Sequence, residues 1–159
     1  FSFTTLPEDL EHIEPLVASA VHRMPVLGGT GIRLFFNGPE SFTPDDRYLL
    51  GESPDVRGLY VAAGFNSIGI QSSGGAGKVL ADWIVDGHPE MDLWDVDVRR
   101  VMPFQRNRAY LRDRTVESLG LLYAMHWPFR QPETARGVRR SPLHDRLAAR
   151  GACFGETAG

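Results

Sequence analysis

The sequence predicts a mixed α/β fold, and three consecutive features predict it. Leu59-Tyr60-Val61-Ala62-Ala63 is an unbroken apolar run closed by Gly64, the pattern of a strand covered on both faces. A stretch rich in glycine and serine follows, from Gly64 to Gly77. From there Ala76, Val79, Leu80, Trp83 and Ile84 share one helical face, and Gly87 with Pro89 supplies a stop. The unit reads as strand, glycine turn, helix over 76–86.

The flanking elements follow from the same rules. Thr5 and Glu8 are spaced as a capping box, and Leu6, Leu10, Ile13, Val17, Val21 and Met24 recur at helical spacing, so residues 6–24 are expected to be helical. Pro15 cannot donate to the carbonyl of Glu11, which predicts a kink or two shorter helices. Between Gly31 and Gly38, Ile32, Leu34 and Phe36 alternate with Arg33 and Asn37 as in a strand with two unlike faces. Thr43-Pro44-Asp45-Asp46 is a turn, in which Asp45 and Asp46 are expected to bond the backbone, and Tyr48-Leu49-Leu50 fits a short strand before Gly51. Beyond Pro89 the character changes. Residues 91–101 fit an extended stretch, 107–124 a helix, and 127–142 a connection rich in proline and arginine, with a domain boundary near 87–92.

At 159 residues the chain can bury one core, since domains cluster near ~100–150 residues. Its 42% hydrophobic and 23% charged content matches folded globular chains and argues against disorder. No apolar run reaches the ~18 residues of a membrane span. Cys153 is the single cysteine, so the chain has neither an internal disulfide nor a cysteine-based zinc site; a reducing compartment fits best. The opening Phe1-Ser2-Phe3-Thr4-Thr5 lacks an initiator methionine and reads as a cut within a longer protein. Residues 1–98 carry 15 acids and 5 bases, whereas residues 99–159 carry 5 acids and 12 bases. The arginines of the basic half are scattered among apolar and acidic residues without a binding motif, so no nucleic-acid partner is expected.

The glycine stretch is where an open α/β sheet binds ligands, because glycine lets backbone approach a ligand and a helix start favours negative charge. A tight packing turn fits the composition equally well. Gly64, Gly69 and Gly74 stand five apart, and no acidic residue lies about 20 residues on in a second strand, so the dinucleotide fingerprint is not met. Gly77-Lys78 is not a phosphate loop either, since Ser72 stands where Walker A requires glycine and Val79 where it requires Ser or Thr.

Three segments carry a resemblance: Arg33 to Asp45, including Phe42-Thr43-Pro44-Asp45; Gly64-Phe65-Asn66-Ser67-Ile68-Gly69-Ile70-Gln71; and Ala148 to Glu156. With them the chain resembles the D-amino-acid-oxidase-like flavoproteins, and within these the dimethylglycine and sarcosine dehydrogenases. His126-Trp127-Pro128 and the run Ser141 to Leu147 extend the likeness toward members that continue into a folate-binding domain similar to the glycine-cleavage T-protein. The resemblance implies that residues 1–87 are the C-terminal part of an FAD-binding D-amino-acid-oxidase-like fold and 88–159 the start of a central domain. It implies FAD as cofactor, tetrahydrofolate in the further domain, and a small N-methylated amino acid as substrate. The implied compartment is the cytoplasm of a bacterium, or the mitochondrial matrix of a eukaryote.

By the same resemblance Gly64, Phe65, Asn66, Ser67, Ile68, Gly69, Ile70 and Gln71 pass beside the isoalloxazine ring, with the next helix aimed at its pyrimidine end. That end gains negative charge when the ring accepts a hydride equivalent, which a helix start favours. Monomeric sarcosine oxidases, more distant relatives, carry a flavin-linking cysteine near the position of Gly38 and a carboxylate-binding lysine near that of Gln71. Neither is present. The ADP-binding glycine turn is absent too, and no residue is assigned a catalytic role.

The remaining residues carry bland expectations. His12, His22, His88, His126 and His144 are dispersed and form no metal set. Trp83 belongs to the core, Trp94 and Trp127 to an interface, and Cys153 is a buried spectator.

Overall fold

The computed structural model describes residues 5–125 and 131–156. His126, Trp127 and Pro128 lie outside them. The chain divides into two compact units, Phe1–Glu40 and Ser41–Gly159.

In the first unit, α1 spans Leu10–Arg23 as one element that contains Pro15 and is not split in two. It starts four residues later than the expected capping box. Pro7 disfavours helical backbone at Leu6, whose N–H instead donates to the Asn37 carbonyl at 2.8 Å, while Asn37 Nδ2 donates to the Pro7 carbonyl at 2.7 Å. Asp9 then caps the helix, its Oδ1 accepting the His12 N–H at 3.0 Å. The strand expected over 31–38 does not form: that segment is irregular and pairs only through Asn37 and Leu6 among the described residues. Alternation alone makes no strand without a partner ladder. None of the residues of α1 is buried, and Ile32, Leu34 and Phe36 are exposed.

The second unit is built on a hairpin. β1, Leu49–Glu52, pairs antiparallel with β2, Tyr60–Ala63, from Leu49 opposite Ala63 to Glu52 opposite Tyr60. The expectation of a strand buried on both faces fails: Tyr60 and Val61 are half-buried, and Ala62 and Ala63 are exposed, because among the described residues only one side of the hairpin is covered. That cover is α2, Gly69–Asp86, which starts seven residues earlier than the apolar stripe suggests and ends on Gly87, whose N–H donates to the Trp83 carbonyl. Trp83 sits in the core with Leu50, Ala76 and Leu93, ringed by Tyr48, Tyr60, Phe65, Val79, Leu80 and Val96. Its indole lies against Gly51, where φ is +115° and a Cβ would come within 2.5 Å of the ring, so only glycine fits.

Residues 91–101 are turns and a short 3-10 segment, Val98–Arg100, in place of the expected extended stretch. They join the sheet through a parallel bridge between Leu50 and Asp97, in which the Leu50 N–H donates to the Val96 carbonyl at 2.9 Å, and through Leu93 and Val96, which pack in the core with Leu50. α3, Arg108–Leu121, matches the expected helix and is capped by Asn107 Oδ1, which accepts from Ala109 and Tyr110. Its buried positions are Tyr110, Arg114 and Ser118, four apart and largely polar. α4 is a short helix, His144–Ala148. Trp94 and Cys153 are exposed, so the cysteine is not buried as expected.

Arg114 is buried and joins α3 to the chain's last segment. Its Nη1 donates to Glu156 at 2.7 Å and its Nη2 to the Thr134 carbonyl at 2.5 Å. Glu117 closes the network, accepting from the N–H groups of Glu133 and Thr134 and from the Thr134 hydroxyl. Burial pushes the Glu117 carboxyl up, but the Thr134 hydroxyl, the two N–H groups and the Arg114 charge outweigh it and hold it below its ordinary value. A depressed carboxyl adds stability that is complete above the unfolded value near pH 4.3 and is lost as pH falls through the lower folded value. Glu117→Gln is therefore expected to lower the unfolding temperature at pH 7 and to bring it closer to wild type as pH falls below ~4. A gap that stays constant to pH 2 in thermal melts overturns this assignment.

Candidate functional site

The antiparallel register brings two loops together at the open end of the hairpin. Leu49 faces Ala63, so the chain entering β1 (residues 43–48) and the chain leaving β2 (residues 64–68) emerge side by side. Tyr48 and Phe65 stack there, ring centroids 4.9 Å apart. Deeper, Asn66 is 1% exposed and its carboxamide is fully engaged. Its Oδ1 accepts the Thr43 N–H at 2.8 Å, and its Nδ2 donates to the Gly64 carbonyl at 2.6 Å and to Thr43 Oγ1 at 3.1 Å. Thr43 Oγ1 donates in turn to the Arg47 carbonyl at 2.9 Å. Asn66 N–H donates to the Ser41 carbonyl.

These bonds hold a backbone with three left-handed residues in four: Gly64 at φ +65°, Asn66 at +48° and Ser67 at +65°. At Gly64 a Cβ would fall 2.7 Å from the Thr43 methyl, so glycine there is required by the protein's own packing. Ile68 is the N-cap of α2, and Gly69, Ile70 and Gln71 form its first turn. Among the described residues no side chain caps that turn and no acidic residue stands in it, which leaves its first N–H groups without an intrahelical partner beside an Ile70 that is 99% exposed. A Cβ at Gly69 would only touch Phe65 at 3.4 Å, and at Gly74, Gly75 or Gly77 it would meet nothing. Three glycines inside a helix cost about 3 kcal/mol relative to alanine. Nothing in the described packing requires them.

The eight residues singled out from the sequence thus form one continuous path with divided roles. Gly64, Phe65 and Asn66 face the protein; Gly69, Ile70 and Gln71 offer backbone N–H groups and open space. The residues that sequence reasoning missed are those that hold the path in place. Thr43 meets Asn66 across 23 residues. The Pro44 carbonyl accepts from Ser118 Oγ of α3 at 2.7 Å, across 74 residues. Asp45 makes the local bond expected of it, accepting from the Arg47 N–H, but its carboxylate is chiefly held by Arg100 Nε at 2.8 Å and Nη2 at 3.0 Å, across 55 residues. The Thr-Pro-Asp turn is a hub; the sequence marked it as a turn and as part of the family resemblance, and neither signal revealed its distant partners.

Comparison with known proteins places the chain in a family. Residues 1–83 match the FAD dependent oxidoreductase family, and residues 86–141 match the FAD dependent oxidoreductase central domain. The chain belongs to the FAD-dependent oxidoreductases. It is similar to a 4-methylaminobutanoate oxidase (formaldehyde-forming) of Paenarthrobacter nicotinovorans, 51% identical over 157 residues that cover 99% of this chain and 19% of the relative. It is also similar to the mitochondrial pyruvate dehydrogenase phosphatase regulatory subunit of Mus musculus, 45% identical over 97% of this chain and 18% of the relative. The mitochondrial sarcosine dehydrogenase of Mus musculus is 39% identical over 100% of this chain and 17% of the relative. The chain spans less than a fifth of the length of these relatives.

Proposed function

We propose that this chain is part of a longer FAD-dependent amine dehydrogenase that oxidises the N-methyl carbon of a small N-methylated amino acid. The observation that carries the reading is the uncapped, acid-free start of α2, directly after β2, with glycines that local packing does not demand. Such a surface fits the electron-rich edge of a flat, polar ring. FAD bound there supplies a two-electron acceptor. The amine loses hydride from its methyl group, and the resulting iminium is hydrolysed to the demethylated amine and formaldehyde or is captured by tetrahydrofolate in a further domain.

On this reading the N–H groups of Gly69, Ile70 and Gln71 oppose negative charge on the ring, and Phe65 and Asn66 support them from behind. Gln71 is neutral, so the substrate carboxylate takes its cationic partner from outside this turn. Residues 1–87 close the flavin domain and 88–159 open the central one, a division supported by the two family matches meeting between residues 83 and 86. Bonds from Arg100 and Ser118 to residues 44–48 cross that division, so residues 41–87 are held to the segment that follows them. The proposed compartment is the cytoplasm in a bacterium or the mitochondrial matrix in a eukaryote.

Anaerobic addition of sarcosine, dimethylglycine or 4-methylaminobutanoate to the full-length protein is expected to bleach its flavin absorbance with at least one of the three. Bleaching by none of them overturns the substrate class. Readmitted oxygen separates a dehydrogenase from an oxidase, which forms about one peroxide per turnover. The name of the regulatory-subunit relative favours a second reading, a binding module without turnover, in which the full-length protein holds flavin but no amine bleaches it.

A further inference from the structure

We propose that the Thr43–Asn66 pair is a positioning device that sets the direction of the α2 start toward the bound flavin. The inference rests on the FAD reading above. Asn66 is buried and spends its side-chain bonds on Thr43 and on the carbonyl of Gly64, so it acts on a ligand only through the backbone it holds.

That backbone is the entry to α2. Left-handed conformations at Asn66 and Ser67 turn the chain from the strand into the helix within two residues. The Ile68 N–H then donates to the Phe65 carbonyl at 2.9 Å and the Ser72 N–H to the Ile68 carbonyl at 3.0 Å, which starts the helical ladder. Left-handed backbone at serine is costly, about 1–3 kcal/mol, and persists only where surrounding bonds over-determine it. The Asn66 carboxamide fixes the residue immediately before that serine, bonding the Gly64 carbonyl on one side and Thr43 on the other as the fixed wall. Thr43 is itself buried, its hydroxyl held on Arg47 and its methyl against Gly64. Without the pair the turn relaxes, the first N–H groups of α2 change direction, and a field aimed at the ring is lost more from the reduced, electron-rich flavin than from the oxidised one.

The test is the flavin midpoint potential and visible spectrum of the full-length protein, with unfolding temperature measured alongside. Asn66→Ala and Thr43→Val are each expected to cost at least fivefold in preference for reduced over oxidised flavin, a fall of about 20 mV for a two-electron couple. Thr43→Ser, which keeps the hydroxyl, is expected to restore the potential. Glu117→Gln, on α3, serves as the control for stability alone: it lowers the unfolding temperature without moving the potential. If Asn66→Ala does not fold, the isosteric Thr43→Val carries the test. Variants that unfold earlier yet keep the wild-type potential overturn the inference and leave the flavin reading intact. A wild-type protein that neither carries nor takes up flavin overturns both.

Discussion

FAD titrated into the 159-residue chain alone is expected to bind about 10²–10⁴-fold more weakly than it binds the full-length protein. The proposed site offers the flavin ring a helix start and open glycine space, but the sequence contains no glycine turn of dinucleotide spacing to hold the pyrophosphate. Two charge-assisted bonds to a pyrophosphate, at about 1.5–3 kcal/mol each, account for that ratio at ~1.4 kcal/mol per tenfold. Flavin fluorescence and visible absorbance read the titration. Equally tight binding by both proteins would mean that the ADP half of the cofactor is held here after all. Within the full-length protein, Gly69→Leu separates a ligand turn from a packing turn. The first carbon of a new side chain meets only Phe65 at an ordinary 3.4 Å, so the fold should tolerate it, while the rest of the leucine fills the space assigned to the ring. Retained stability with at least tenfold weaker flavin is the expected result. Unchanged affinity and spectrum would assign the turn to packing.

Arg100→Ala is expected to destabilise the Ser41–Gly159 unit by about 3–5 kcal/mol, the range for breaking a buried ion pair from one side. The Arg100 side chain is 6% exposed and that of Asp45 is 17% exposed, so removing the cation strands a carboxylate where water reaches it poorly. The loss extends to the carbonyls of Arg47, Tyr48, Val96 and Asp97, all of which accept from the same guanidinium. Arg100→Lys keeps the charge but not the planar fork, and is expected to recover only part of the difference. The double variant Arg100→Ala with Asp45→Ala should be less damaged than Arg100→Ala, because no charge is left unpaired. Urea unfolding midpoints at unchanged slope measure all three. A cost below ~1 kcal/mol for Arg100→Ala would show that the loop is held mainly by Thr43 and Ser118.

The flavin-fold resemblance, the strand before the glycine stretch, the helix after it and its stop at Gly87 were legible because each is local. Apolar runs, helical periodicity and turn residues act within a few positions, and β2, α3 and the C-terminal end of α2 fall on or within a few residues of such signals. Periodicity also misled where a local pattern had no partner to satisfy it. Residues 31–38 alternate like a strand but lack a ladder among the described residues, and the expected turn at 69–75 is helical because nothing but propensity opposes helix there. Only the tertiary structure decided that the Thr-Pro-Asp turn joins the entry to α2, α3 and Arg100. Bonds spanning 23, 74 and 55 residues leave no period in a sequence, and their energy exists only after the hairpin register has set Tyr48 beside Phe65. The α3 face shows the same division. Its helical form was readable from Asn107 onward, whereas its buried stripe of Tyr110, Arg114 and Ser118 is polar, and a polar stripe becomes an inside only when Glu156, Thr134 and Pro44 arrive to pair with it.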